Sequence, residues 1–177
     1  GLREHGSHDQ PLGAWSDDTS QTLALADALT KDFSLHSIAE NFIAWWLGKR
    51  WTSHGYVFDI GQRTLLSFNE LRQILASGDY EALEYLHFDA NPNTNGSGSL
   101  MRVLPLYFYV KEKGVEESFE TIRQVSALTH PHIRAALACL IYLLMIDELM
   151  KGNSASEAYV ATQERTKAFF NEYEIES

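Results

Sequence analysis

Cysteine is almost absent from this chain. Cys139 is the only one in 177 residues, and it lies in the apolar run ALACLIYLLMI. No internal disulfide can form, and a buried, inert thiol is expected. Basic runs are absent too: 14 Lys and Arg against 24 Asp and Glu give a formal charge of -10. That balance repels nucleic acid and anionic lipid, so neither is expected as a partner. The apolar run Ile133 to Met150 is broken by Arg134, Asp147 and Glu148, and no stretch reaches the roughly 20 residues a membrane helix needs. There is no initiator Met and no signal peptide; the chain starts GLREHGSHDQPLG, as though within a loop, and a cytoplasmic location is expected. No segment alternates apolar and polar residues over a strand's length, and no fixed-period repeat occurs.

What is present is helical. A content of 45% hydrophobic and 12% aromatic residues suits the core of one globular domain, taken as residues 1–177. Leu35, Ile38, Ala39, Phe42, Ile43 and Trp46 recur at helical spacing, with Ser34 placed to cap and Gly48 to stop. Further helices are expected from about Ile60 to Ala76, ending at Gly78, and from about Leu100 to Lys113, ending at Gly114, with Pro105 in the early part. SFETIRQVSAL supplies another. Ile133, Leu137, Leu140, Ile141 and Leu144 give the next a wide apolar face that suits a central position. The last opens with a Ser154–Glu157 capping box and runs toward Phe170. The fold class is all-α, a compact multi-helix bundle.

Four stretches carry chemistry. In GAWSDDTSQTLAL, Ser16, Asp17 and Asp18 stand at a helix entrance, where such residues cap free backbone N–H groups. The same hydroxyl and paired carboxylates suit a hard cation such as Mg²⁺. The two Asp side chains point in different directions, so both reach one cation only if a second segment closes the cage. In NGSGSLMR, Gly96, Ser97, Gly98 and Ser99 form either a flexible connector or, at a helix N-terminus with Arg102 one turn in, an anion site for phosphate or diphosphate. Arg102 could instead tie two helices together. The loop lacks the Lys of a P-loop, which argues against nucleoside triphosphate hydrolysis. His130 and His132 flank Pro131 and suit hydrogen bonding to a substrate or a helix end better than metal binding. His54 and Asp59 are polar residues set among the aromatics of WTSHGYVFDIG, in a turn or at a site.

Taken together, GAWSDDTSQTLAL, GYVFDIGQRT, NGSGSLMRVLPL and SALTHPHIRAALA resemble, in order and approximate spacing, the ADP-ribosylglycohydrolase family, which includes the dinitrogenase reductase-activating glycohydrolases. The likeness runs from about Pro11 to about Gly152. It implies an all-α bundle with a two-metal centre, usually Mg²⁺ or Mn²⁺, in a cleft that binds ADP-ribose. It places Ser16, Asp17 and Asp18 on the first half of the metal cluster and Asp59 on an acidic position near the substrate. The catalytic set is then Asp17, Asp18 and Asp59, with the first two holding metal rather than acting as acid and base. Asn95, Gly96, Ser97, Gly98, Ser99, Met101 and Arg102 fall on a segment facing the ribose and phosphates, and His130 or His132 on a histidine region beside the ligand.

Two family features have no counterpart: an early helix with a G-D-A-x-G-type motif and a late, Asp-rich G-D-x-D-type segment. The resemblance is therefore to the middle of the family domain, as a cut fragment, a natural half or a decayed paralogue. The expected reaction is metal-dependent hydrolysis of the bond from ADP-ribose to a protein side chain or small molecule; the alternative is an inactive ADP-ribose-binding homologue. Self-association, or a complementing segment, is expected of an incomplete domain.

Overall fold

A computed structural model describes His5 and residues 8–88 and 95–173. Residues 89–94, which precede NGSGSLMR in the sequence, lie outside that set.

The SDDT segment starts α1, Asp17–Leu29. Its buried residues, Asp17, Ser20, Gln21, Ala24, Leu25 and Ala28, repeat at helical spacing, so the inward face begins polar and turns apolar after one turn. α2, Leu35–Trp46, is capped as expected: the Ser34 side chain accepts from the Ser37 backbone N–H. α3, Gln62–Ser77, stops at Gly78, whose φ of 77° is the left-handed cap conformation glycine adopts without strain. A single turn, α4 (Ala82–Tyr85), follows.

The expected helix from Leu100 to Lys113 is not continuous. It divides into 3-10 turns at Leu100–Arg102 and Leu104–Leu106 and one α-turn, α5, Tyr107–Val110. Pro105 has no N–H to donate and its ring opposes the preceding turn, so the segment is held by short-range bonds instead. The glycine loop therefore opens onto a three-residue turn, not onto a long helix whose dipole could draw an anion.

α6, Val115–Ala127, α7, Ile133–Met150, and α8, Ala155–Glu172, pack in succession, with α7 central as expected. The buried stripe of α7 is Ala135, Ala136, Cys139, Leu140, Leu143 and Leu144, while Ile141 is exposed. The small side chains at 135, 136 and 139 select the inward face because they let the neighbouring helices approach. The capping box of α8 is complete: Ser154 accepts from the Glu157 N–H, and the Glu157 carboxylate accepts from the Ser154 N–H. Arg165 on α8 donates to Asp147 and Glu148 on α7, each at 2.6 Å.

One apolar core joins these parts. Leu25, Ile38, Phe42, Trp45, Phe68, Phe119 and Ile122 are essentially without solvent contact, each contributing about 2–3 kcal/mol of burial. Cys139 is buried, and burial pushes its thiol pKa up, as an inert thiol requires. The described residues contain no strand, and no helix among them is long and apolar enough to cross a membrane. α1 packs against α2 on one side and the 100–106 turns on the other. It thereby joins the two polar clusters described next.

Candidate functional site

The first cluster sits at the start of α1. Ser16 occupies the N-cap position, yet its side chain makes no capping bond; its hydroxyl donates to Asp18 Oδ2 at 2.9 Å. Asp17 turns inward and is buried, whereas Asp18 is exposed. That divergence follows from their 100° separation around the helix. The second wall is the segment after α2. Trp15 Nε1 donates to the Trp51 carbonyl at 2.9 Å and Ser53 Oγ to the Trp15 carbonyl at 3.3 Å. Lys49 and Trp51 hold left-handed backbone in this turn, with φ of 59° and 55°. That strained course brings Val57, Phe58 and Asp59 round to a small cleft shared with Trp15, Ser16, Asp17, Ser20 and Tyr56.

Electrostatics agree with the geometry. The Asp17 carboxyl is pushed up to about 6, first by burial and then by the negative charges of Asp59 and Asp18. Among the described residues the Asp59 carboxylate pairs with His8 Nε2 at 3.3 Å. Oxygen donors of this kind fit a hard divalent cation in chemistry. They fall short in number: among the described residues no three His, Cys, Asp or Glu side chains converge closely enough to hold a metal. The cluster forms one wall of the cleft. His54 is exposed and packs loosely beside Tyr56.

The second cluster is buried. Arg102, 1% exposed, lies beneath the glycine loop rather than at its surface. Its Nη1 donates to Gln21 Oε1 at 3.0 Å and to the Gly98 carbonyl at 3.4 Å, and its Nη2 donates to Thr129 Oγ1 at 2.7 Å. The guanidinium lies 4.6 Å over the Phe42 ring. Thus the structure corrects the expected phosphate contact: this guanidinium ties α1 to the α6–α7 connection. Burial lowers its pKa to about 10, which leaves it charged at neutral pH.

His130 is buried beside it, its Nδ1 2.8 Å from Thr129 Oγ1. Burial first, then the charges of Arg102 and Arg63, lower its pKa to about 3. Thr129 is fixed from α3, because its carbonyl accepts from Arg63 Nε at 3.1 Å and Ser67 Oγ at 2.9 Å. Ser99 is buried as well, its hydroxyl accepting from Ser126 at 2.8 Å. Asn95 and Ser97 are exposed, Gly96 and Gly98 half-buried. The Met101 carbonyl accepts a long bond, 3.4 Å, from Thr22 on α1. His132 stands apart from the loop: it is the N-cap of α7, its Nδ1 accepting from the Arg134 N–H at 3.1 Å.

The sequence reading missed Gln21 and Thr129. Gln21 could have been found, since it lies four residues after Asp17 on the face that becomes the core stripe. Thr129 is adjacent to His130 in LTHPH, but nothing in the pattern marks its hydroxyl as the link between an arginine and an imidazole.

Residues 1–175 match the profile of the ADP-ribosylglycohydrolase family. An ADP-ribosylarginine hydrolase Tri1 of Serratia proteamaculans (strain 568) is 26% identical over 151 residues, which is 83% of this chain and 38% of that protein. Its counterpart from Pseudomonas putida (strain GB-1) is 27% identical over 147 residues, 82% of this chain and 37% of that protein. The chain spans less than two-fifths of the length of these relatives. With the motif order, the all-helical fold and a profile match over nearly the whole sequence in agreement, the chain belongs to the ADP-ribosylglycohydrolase family.

Proposed function

We propose that this chain forms part of a hydrolase that cleaves the glycosidic bond between C1 of ADP-ribose and an arginine side chain. The observation that carries the proposal is the Asp17, Asp18 and Asp59 cluster at the cleft, where burial first and then the neighbouring carboxylates push Asp17 up to about 6. Perturbed carboxylates in a cleft are what glycoside chemistry uses. Arginine as acceptor rests on the names of the two relatives.

In the reaction, the oxygen of water bonds to C1 as the C1–N bond breaks, and the displaced electron pair and a proton end on the guanidino nitrogen. Breaking that bond gives the sugar oxocarbenium character, which the negative field of Asp17, Asp18 and Asp59 stabilises. Asp59, on the opposite wall, is placed to accept a proton from the attacking water. Trp15 and Tyr56 flank the cleft and limit access of bulk water. The Gly96–Ser99 backbone receives the ribose and phosphates. Mg²⁺ or Mn²⁺, held on this side by Ser16, Asp17 and Asp18, would offset the carboxylate repulsion and supply a Lewis-acidic charge beside the sugar.

Turnover of ADP-ribosylated arginine in Mg²⁺ tests this. Because the described residues build one wall, the chain alone should bind Mg²⁺ or Mn²⁺ weakly and turn over little. Both should rise when the remainder of a relative's length is supplied in trans, and Asp59→Asn should then remove turnover. Tight metal binding and full turnover by the chain alone would overturn the one-wall arrangement. Failure of the complemented chain to release arginine, with ADP-ribose still bound, would favour the inactive binding homologue.

A further inference from the structure

The loop that the proposed function assigns to ADP-ribose is shaped from beneath by one imidazole. A Cβ built on Gly98 would meet His130 Cε1 at 2.6 Å and Nε2 at 3.0 Å; one built on Gly96 would meet Cδ2 at 2.9 Å and Nε2 at 3.0 Å. Carbon atoms do not approach so closely without displacement. The ring therefore occupies the room that two missing side chains leave. Neither glycine is required by a positive φ; each is required by this contact.

The ring has little freedom to yield. It is 3% exposed, and Thr129 Oγ1 holds its Nδ1 at 2.8 Å. Arg102 can only donate, so Thr129 Oγ1 accepts from it and shares a second hydrogen bond with His130 Nδ1. This bond turns the Nε2 side of the ring toward Gly96 and Gly98. Arg102 also donates directly to the Gly98 carbonyl. The loop is thus gripped twice, by its carbonyl and by its van der Waals surface.

We propose that His130 is a positioning residue: its imidazole, oriented by Thr129 and Arg102, sets the backbone of Gly96–Ser99 in the form that receives ADP-ribose. The proposal rests on the functional reading for the identity of the ligand, and on the packing alone for the shaping of the loop.

A double-mutant cycle tests both parts separately. Gly98→Ala should clash with the ring, His130→Ala should leave the loop loose, and the double variant should relieve the clash because the new methyl enters the vacated space. ADP-ribose affinity of the full chain, with the complementing segment where turnover needs it, should fall about tenfold or more in each single variant. The double variant should bind better than Gly98→Ala. Amide hydrogen exchange at residues 96–99 should speed up in His130→Ala and slow again in the double variant, at temperatures where every variant is folded.

Independent, additive losses would overturn the proposal, as would wild-type exchange and affinity in His130→Ala. If the wild type itself binds no ADP-ribose, the functional reading fails, and the exchange rates alone decide whether His130 shapes the loop. Should His130→Ala not fold, His130→Asn retains a polar group of smaller volume, and the same comparison with Gly98→Ala applies.

Discussion

One turn of α1 separates two polar clusters that treat charge in opposite ways. At the start of the helix, Asp17 faces Asp18 and Asp59, and its carboxyl is raised because burial first and then like charges oppose ionisation. At Gln21, the Arg102 cation is enclosed by neutral partners: an amide oxygen, a hydroxyl, a carbonyl and the face of Phe42. Arg102 Nε has no hydrogen-bond partner among the described residues, and no carboxylate there pairs with the guanidinium. Both arrangements cost stability, but only the acidic one opens to a cleft. The difference separates charge gathered at a cleft from charge built into the packing beneath the glycine loop.

The largest effect expected from breaking this division is that of Arg102→Ala. It removes three hydrogen bonds and a fully buried side chain, and leaves Gln21 Oε1 short of a donor, for a loss of about 3 kcal/mol in denaturant unfolding. Arg102→Met, which keeps most of the volume and introduces no buried charge, should lose less. If Arg102→Ala instead keeps its stability and loses only ADP-ribose affinity, the guanidinium belongs with the site.

Asp17→Asn should act with the opposite sign. The folded pKa of about 6 exceeds the ordinary 3.8, so the folded state holds the extra proton between those values. This group's contribution therefore rises as pH falls from above 6 toward 3.8 and is constant below. At pH 7 without metal, Asp17→Asn should gain about 1 kcal/mol and flatten that slope, while activity of the complemented enzyme is lost. Asp147 and Glu148 run the other way: their pKa values are lowered, Glu148 chiefly by hydrogen bonding to Lys151 and Asp147 by its bonds to Lys151 and Arg165 against the cost of its burial. Their stabilisation is present above the ordinary values of 3.8 and 4.5 and is lost as pH falls through the lower folded ones. Urea titrations across pH 3 to pH 8, on wild type and Asp17→Asn, separate the two contributions. A wild-type slope of the reverse sign between pH 4 and pH 7, unchanged by Asp17→Asn, would count against the carboxylate cluster.

Much of this division was legible in the sequence, for physical reasons that vary by element. α2, α3 and α8 declare themselves because local signals, Ser34, Gly78 and the Ser154–Glu157 box, agree with the apolar period. The 100–113 segment does not, since its apolar content suits a helix while Pro105 breaks it into turns. Asp17 and Asp18 are visible as a pair, but which one is buried depends on the partner segment around Trp51 and Asp59. Whether Arg102 meets phosphate or ties helices together is not legible, because a cation beside glycines reads the same whether it faces solvent or core. Only the distant Gln21 and Thr129 decide that.

The smallest effect bears on the Ser-Asp-Asp stretch itself. Ser34 accepts a backbone N–H bond at the entrance of α2, so Ser34→Ala should cost about 1 kcal/mol. Ser16 stands at the matching place on α1, but its hydroxyl is turned to Asp18 and caps nothing. Ser16→Ala should therefore change unfolding free energy by less than about 0.5 kcal/mol, while weakening Mg²⁺ binding by the complemented enzyme. Both serines are small, partly exposed and at an N-cap, so propensity and burial nearly cancel between the two variants. What remains is the direction of one hydroxyl. Equal losses for Ser16→Ala and Ser34→Ala, with Mg²⁺ affinity unmoved, would make Ser16 a helix cap and leave the acidic site to Asp17, Asp18 and Asp59.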